Sequence, residues 1–148
     1  MTAKQTIQNL FLQLQQANKR LQEAVAIEKE TDIKRDAVIQ RFEFTYELLW
    51  KMFKRIADSE KLECFSPKSA FQAAFKLGLI DDEKLFMEII DARNSTTHVY
   101  SEYDAKKIYA LVKKVVIKNF HQAEMKITEY LKTKDYVKKE KNHERKNH

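Results

Sequence analysis

Residues 38–56 read VIQRFEFTYELLWKMFKRI. Val38, Phe42, Thr45 with Tyr46, Leu49, Phe53 and Ile56 recur at three- or four-residue intervals, and Ile39, Trp50 and Met52 widen the same side. That repeat draws one apolar stripe along a helix, whereas a half-buried strand would alternate with period two. The stretch makes about five helical turns, and a stripe of that size needs other helices to cover it. Upstream, Leu10, Leu14, Ala17, Leu21 and Val25 mark one face of a first helix over residues 7–27. The polar run Glu28-Lys29-Glu30-Thr31-Asp32 interrupts the pattern, and Thr31 or Asp32 supplies an N-cap for the next helix. Two long helices joined by so short a link predict an antiparallel hairpin.

Downstream, Ser66-Pro67 is a helix start, with Ser as N-cap and Pro in the first turn, and Gly78 suits the stop, giving a short helix over about residues 67–77. Asp81 or Asp82 caps a fourth helix in which Leu85, Phe86, Ile89, Ile90 and Arg93 share a side. The run Asn94-Ser95-Thr96-Thr97-His98-Val99 has weak helix propensity and predicts an end or kink. A last helix is expected over about residues 104–132, with Ile108, Val112, Val116, Phe120, Ala123, Ile127 and Leu131 inward and Leu111 and Val115 widening that face. The fold class is therefore all-α: an antiparallel up-and-down four-helix bundle with an additional short helix. Residues 1–131 form the domain, and residues 132–148 are expected to be a frayed or disordered tail.

Composition points the same way. One Gly and one Pro in 148 residues, where about 18 of the two together are usual, leave little to build hairpin turns, which excludes sandwiches, barrels and doubly wound sheets. The single Gly also excludes the glycine-rich loops of dinucleotide and P-loop sites. Charge interrupts the apolar residues too often for a membrane span, and the amphipathic start MTAKQTIQNLFLQLQQ does not read as a signal peptide. With Cys64 the only cysteine, the expected location is the cytoplasm. The net charge of +6 belongs mostly to the last seventeen residues, KTKDYVKKEKNHERKNH, with seven Lys/Arg against three Asp/Glu. Such a tail reads as a solvated end before it reads as a nucleic-acid arm.

Several candidate chemistries fall away on spacing. His98, His121, His143 and His148 show no metal-ligand spacing, and one cysteine makes no thiolate cage, so no metal is expected. Cys64 has no base near it in sequence, which favours a buried, inert thiol. Glu43 and Glu47 could pair for acid–base work, but solvent-facing positions with a Glu47–Lys51 pair are the plainer reading. The segment DARNSTTHVYSEY (residues 91–103) stands apart, gathering Arg93, Asn94, His98, Tyr100 and Tyr103 between two good helices. On an ideal helix Asn94 and His98 share a face, and Arg93 lies about 140° from His98, within reach of a long side chain or a bend. An imidazole that titrates near neutrality can move a proton of a ribose 2′-hydroxyl, and a guanidinium can hold the phosphate. The competing reading pairs Arg93 with Asp91 or a helix-two carboxylate and leaves His98 as a helix-end residue.

Arg93-Asn94, three residues, His98, one residue and Tyr100 match the R-x4-6-H motif of HEPN-domain proteins in the form RNxxxHxY. The chain resembles the subfamily encoded beside a minimal nucleotidyltransferase, whose members are often described as nucleotidyltransferase substrate-binding proteins. RDAVIQRFEFTYELLWK, SPKSAFQAAFKLGLIDD and the helix after YSEYDAKKIY fit the same subfamily, so the likeness runs from Leu10 to Leu131. The resemblance implies a homodimer whose two motifs meet at the interface as a metal-independent ribonuclease site. In it His98 is general acid or base, Arg93 holds the phosphate and Asn94 orients. It implies a toxin that cuts an RNA such as a tRNA or mRNA by 2′-hydroxyl attack, without a cofactor. The antitoxin is the adjacent nucleotidyltransferase, which transfers AMP to Tyr100. Where many relatives carry an acidic residue just before the motif arginine, this chain has Ala92, with Asp91 one step earlier. The alternative that the resemblance carries is a non-catalytic substrate-binding subunit of the nucleotidyltransferase.

Overall fold

The computed structural model describes residues 1–98 and 101–137, leaving aside the side chain of His98. The expectations placed on Tyr100 and on residues 138–148 lie outside the described residues. The elements are α1 (Ala3–Ala26), α2 (Asp32–Ser59), α3 (Pro67–Lys76), α4 (Glu83–Ser95), a 3-10 turn (Thr96–His98), α5 (Glu102–Leu111), a π turn (Val112–Val116) and α6 (Ile117–Thr133). No strand occurs among the described residues, and none of their helices is long and apolar enough to cross a membrane. The caps are side-chain hydrogen bonds to orphan amides. Thr31 accepts from the Lys34 amide, Ser66 from Ser69 and Asp82 from Leu85, while Gly78, at φ +75°, takes the left-handed step that ends α3.

The hairpin of α1 and α2 is antiparallel: Thr45 donates to the Ala17 carbonyl at 3.2 Å and the earlier Arg41 to the later Arg20 carbonyl at 2.8 Å. All seven residues of the α2 stripe are buried. On α1 the inward face is turned from the expected one: Ile7, Phe11, Leu14, Ala17, Asn18, Leu21 and Ala24 are buried, and Leu10 and Val25 are only half-buried. The misleading residue is Asn18, a polar member of the buried face that donates to Glu124 of α6 at 3.0 Å. On α4 the buried residues narrow to Phe86 and Ile89. α6 runs to Thr133, and Tyr136 and Val137 still pack against the core.

Four of the helices meet through rings. Phe42 and Tyr46 of α2, Phe71 of α3, Phe86 of α4 and Phe120 of α6 form a closed circuit, with centroid distances of 6.2 Å (Phe42–Tyr46), 5.7 Å (Tyr46–Phe71), 5.1 Å (Phe71–Phe86), 6.5 Å (Phe86–Phe120) and 6.1 Å (Phe120–Phe42). The offset and edge-on approaches suit the ring quadrupole.

The π turn explains how α6 reaches that circuit. Ile108, Val112, Val116 and Phe120 are spaced four apart and all are buried. On an ideal α-helix three such steps drift by about 120°, which would carry Phe120 off the core face. The π turn adds a residue to one turn at Val112–Val116 and takes back much of that drift.

Replacing Phe71 by Ala is expected to cost about 3–5 kcal/mol in urea unfolding, because its ring touches Tyr46, Phe53 and Phe86. Phe65→Ala, at a side chain 84% exposed, should shift stability by less than about 0.5 kcal/mol.

Tyr46 gives a second test. Its hydroxyl is buried with no partner among the described residues, and burial first, then the Glu47 charge, push its pKa up to about 12. As pH rises past about 10 the unfolded chain loses this proton before the folded one, so stability should fall between pH 10 and 12. Tyr46→Phe is expected to flatten that fall and to leave stability at pH 7 unchanged or higher by about 1 kcal/mol. Unfolding curves across the alkaline range check both.

Candidate functional site

The segment that ends α4 is shaped by hydroxyls. Ser95 donates to the Ala92 carbonyl at 2.8 Å, Thr96 to Arg93 at 2.7 Å and Thr97 to Asn94 at 2.9 Å. Three successive side chains thus reach back three residues. They favour the tighter 3-10 register, and α4 gives way to the Thr96–His98 turn. The expected helix end within residues 94–99 is found there.

The start of α5 is tied to α2. Ser101 caps α5 by accepting from the Asp104 amide at 3.1 Å, and Arg35 of α2 bonds both Asp32 at 3.0 Å and Glu102 at 3.4 Å. Buried beside it, Lys34 pairs with Glu30 at 2.5 Å, and the Tyr109 hydroxyl donates to the same carboxylate at 2.6 Å. The hydrogen bond from Lys34, then that from Tyr109, holds Glu30 below the ordinary carboxylate range, and the Glu30 contact holds Lys34 above the ordinary lysine range. The motif is therefore flanked by a fixed helix end on one side and a fixed helix start on the other.

Arg93 is half-buried. Its Nη1 donates to the Thr96 hydroxyl at 3.2 Å, its Nε is buried with no partner among the described residues, and its charge acts on the Tyr46 phenol, partly opposing burial and Glu47. Among the described residues Arg93 forms no ion pair, so the pairing with Asp91 or an α2 carboxylate is not made. Asn94, the next residue, is exposed and diverges from it. His98 ends the 3-10 turn; its side chain and Tyr100 lie outside the described residues. On the far side of α4, a groove of about 570 Å³ opens between α4 and α5, with Asp91, Ser95, Asp104 and Lys107 at its edge and Ile108 within.

The remaining candidates take the plainer roles. Glu47 meets Lys51 at 3.9 Å and accepts from the Trp50 indole at 3.1 Å. Cys64 is buried, and burial pushes its thiol up from the ordinary range. Among the described residues no three His, Cys, Asp or Glu side chains gather as metal ligands. Periodicity places Tyr46 in the core but does not reveal that its phenol feels the Arg93 charge; a lone phenol within a stripe of Phe and Leu is the available signal.

Comparison with known proteins bears on the family and the fold. The family described as nucleotidyltransferase substrate binding protein like matches residues 9–132. A probable ribonuclease HepT of Haemophilus influenzae is 33% identical over 86 residues, a stretch covering 55% of this chain and 59% of that protein. A solved structure from Thermus thermophilus superposes with a TM-score of 0.66 at 30% identity, covering 80% of this chain and 98% of that one. The Shewanella oneidensis HEPN toxin, solved tri-AMPylated in complex with its MNT antitoxin, superposes with a TM-score of 0.67 at 18% identity over 87% of this chain and 99% of that one. A MntA–HpeT toxin–antitoxin structure gives 0.69 at 16% identity over 83% and 97%. These two share the fold. A family match that spans most of the chain, on a bundle of this form, makes the chain a member of the nucleotidyltransferase substrate-binding protein-like family.

Proposed function

We propose that this chain is a metal-independent endoribonuclease toxin of a HEPN/MNT pair. The observation that carries the reading is Arg93: a guanidinium held by Thr96 at a helix end, with no carboxylate partner among the described residues, five positions before a histidine. An arginine already neutralised by an acid has little left for a phosphate. His98 takes the proton of a ribose 2′-hydroxyl or gives one to the leaving 5′-oxygen, Arg93 stabilises charge on the phosphorane, and Asn94 orients. A homodimer, which sets two motifs side by side, supplies acid and base together. Phe44 and Tyr103, 57% and 70% exposed on one copy, are apolar surface for a second copy to cover.

Control falls to the partner nucleotidyltransferase. The Tyr100 phenolic oxygen attacks the α-phosphorus of ATP, loses its proton, and pyrophosphate leaves. The AMP group then adds bulk and negative charge two residues from His98, where RNA must enter. A relative named as a ribonuclease and a HEPN toxin solved tri-AMPylated with its antitoxin support this reading. A second reading, a non-catalytic subunit that presents substrate to the nucleotidyltransferase, is favoured by the family's description and by Ala92.

Incubation of the purified chain with total RNA and tRNA in EDTA separates the two. Cleavage by the unmodified chain is expected, with a loss of about 100-fold or more in His98→Ala and in Arg93→Ala, and loss again after co-expression with the partner, together with an added AMP in the intact mass. No cleavage by an unmodified chain favours the binding-subunit reading.

A further inference from the structure

A second groove, of about 570 Å³, lies between α1 and α2. Its α2 wall carries Lys51, Lys54 and Arg55, and its α1 wall carries Asn9 and Gln13. Three- and four-residue spacing gathers the three cationic heads over one stretch, and the two amides likewise sit one turn apart. Lys51 and Lys54 have Glu47 and Asp58 at 3.9 Å and 3.2 Å, yet neither carboxylate lines the groove, and nor does any other among the described residues. Arg55 has no ion pair among the described residues. Trp50, which also lines the groove, packs against the core and donates to Glu47 at 3.1 Å, so its indole is held in place.

Those groups fit one class of ligand. Cations take phosphates, a fixed indole takes the face of a base, and amide side chains take base edges. Single-stranded RNA presents all three together, whereas a duplex hides its base faces and an acidic protein surface has no use for the ring. Trp50 is one helical turn from Tyr46, about 6 Å along α2, and the Tyr46 phenol feels the Arg93 charge, which puts the groove within a few turns of the part of α2 that this charge reaches. The geometry points to the α1–α2 groove as a docking site for single-stranded RNA that flanks the bond cut at Arg93 and His98. This inference rests on the ribonuclease reading for its bond, though not for its binding.

Trp50 is the only tryptophan, so its emission reports the groove directly. The full chain is titrated with a short 2′-O-methyl oligoribonucleotide, which lacks the attacking hydroxyl. The expected result is saturable quenching with the same Kd as the anisotropy of a labelled strand. Lys51→Gln, Lys54→Gln and Arg55→Gln combined should weaken binding roughly tenfold and lower the slope of log K against log salt by about 2, at about 0.7 for each phosphate contact on a single strand. Trp50→Leu should weaken binding roughly fivefold or more, with unchanged circular dichroism in both variants. Binding that leaves Trp50 emission unchanged, a triple variant that binds as the wild type does, or no binding at all overturns the groove. Cleavage of unmodified RNA keeps the two readings apart. Wild-type KM in the triple variant removes the groove and leaves the ribonuclease, whereas groove-dependent binding without cleavage removes the ribonuclease and leaves the groove.

Discussion

Phe42, Tyr46, Phe71, Phe86 and Phe120 form a circuit in which every ring meets at least two others, and α2, α3, α4 and α6 each contribute. Helix propensity alone would leave these segments marginal, since isolated helices gain little in water. Closure of the ring circuit sets the helices' rotation as well as their proximity, because interiors are packed too tightly for a large ring to turn without moving its neighbours. The site inherits that order. Arg93 lies two turns beyond Phe86 on α4, and Tyr46, whose phenol feels its charge, is itself a member of the circuit. The guanidinium is bonded by Thr96, and its Nε is buried.

The same dependence accounts for the π turn. A row of apolar residues four apart does not follow an α-helix for long, and the added residue at Val112–Val116 keeps Phe120 in the circuit. Tyr109, just before it, bonds Glu30, so the shift in register occurs where α5 is already anchored to the start of α2. The helix that follows the motif histidine is that anchored one. Where α5 begins thus depends on contacts with residues 30–35, far from it in sequence.

Much of this was legible in the order of residues. The α2 stripe, the caps at Thr31, Ser66 and Asp82 and the stop at Gly78 are local, decided by periodicity and by side chains that satisfy nearby amides. The inward row of the last helix was also readable, although its interruption by a π turn was not, since only tertiary packing demands it. The α1 face departs from its apolar pattern because Asn18 is buried through a hydrogen bond to Glu124, a partner more than a hundred residues away. At the site, the hydroxyl run at Ser95–Thr97 announced the helix end. What local sequence left open was the partner of Arg93: an ion pair with Asp91 or an α2 carboxylate competes in the sequence, whereas in the fold its Nη1 bonds Thr96 and it forms no ion pair among the described residues.

In the proposed chemistry Arg93 and His98 direct a 2′-hydroxyl onto the neighbouring phosphate. Mass spectrometry of the RNA ends left by the unmodified chain in EDTA tests it most directly. The expected ends are a free 5′-hydroxyl on one fragment and a 2′,3′-cyclic phosphate, or its hydrolysis product, on the other, with neither formed by Arg93→Ala or from RNA carrying 2′-deoxy sugars. Cleavage of the 2′-deoxy strand, or ends bearing a 5′-phosphate and a 3′-hydroxyl, would contradict it.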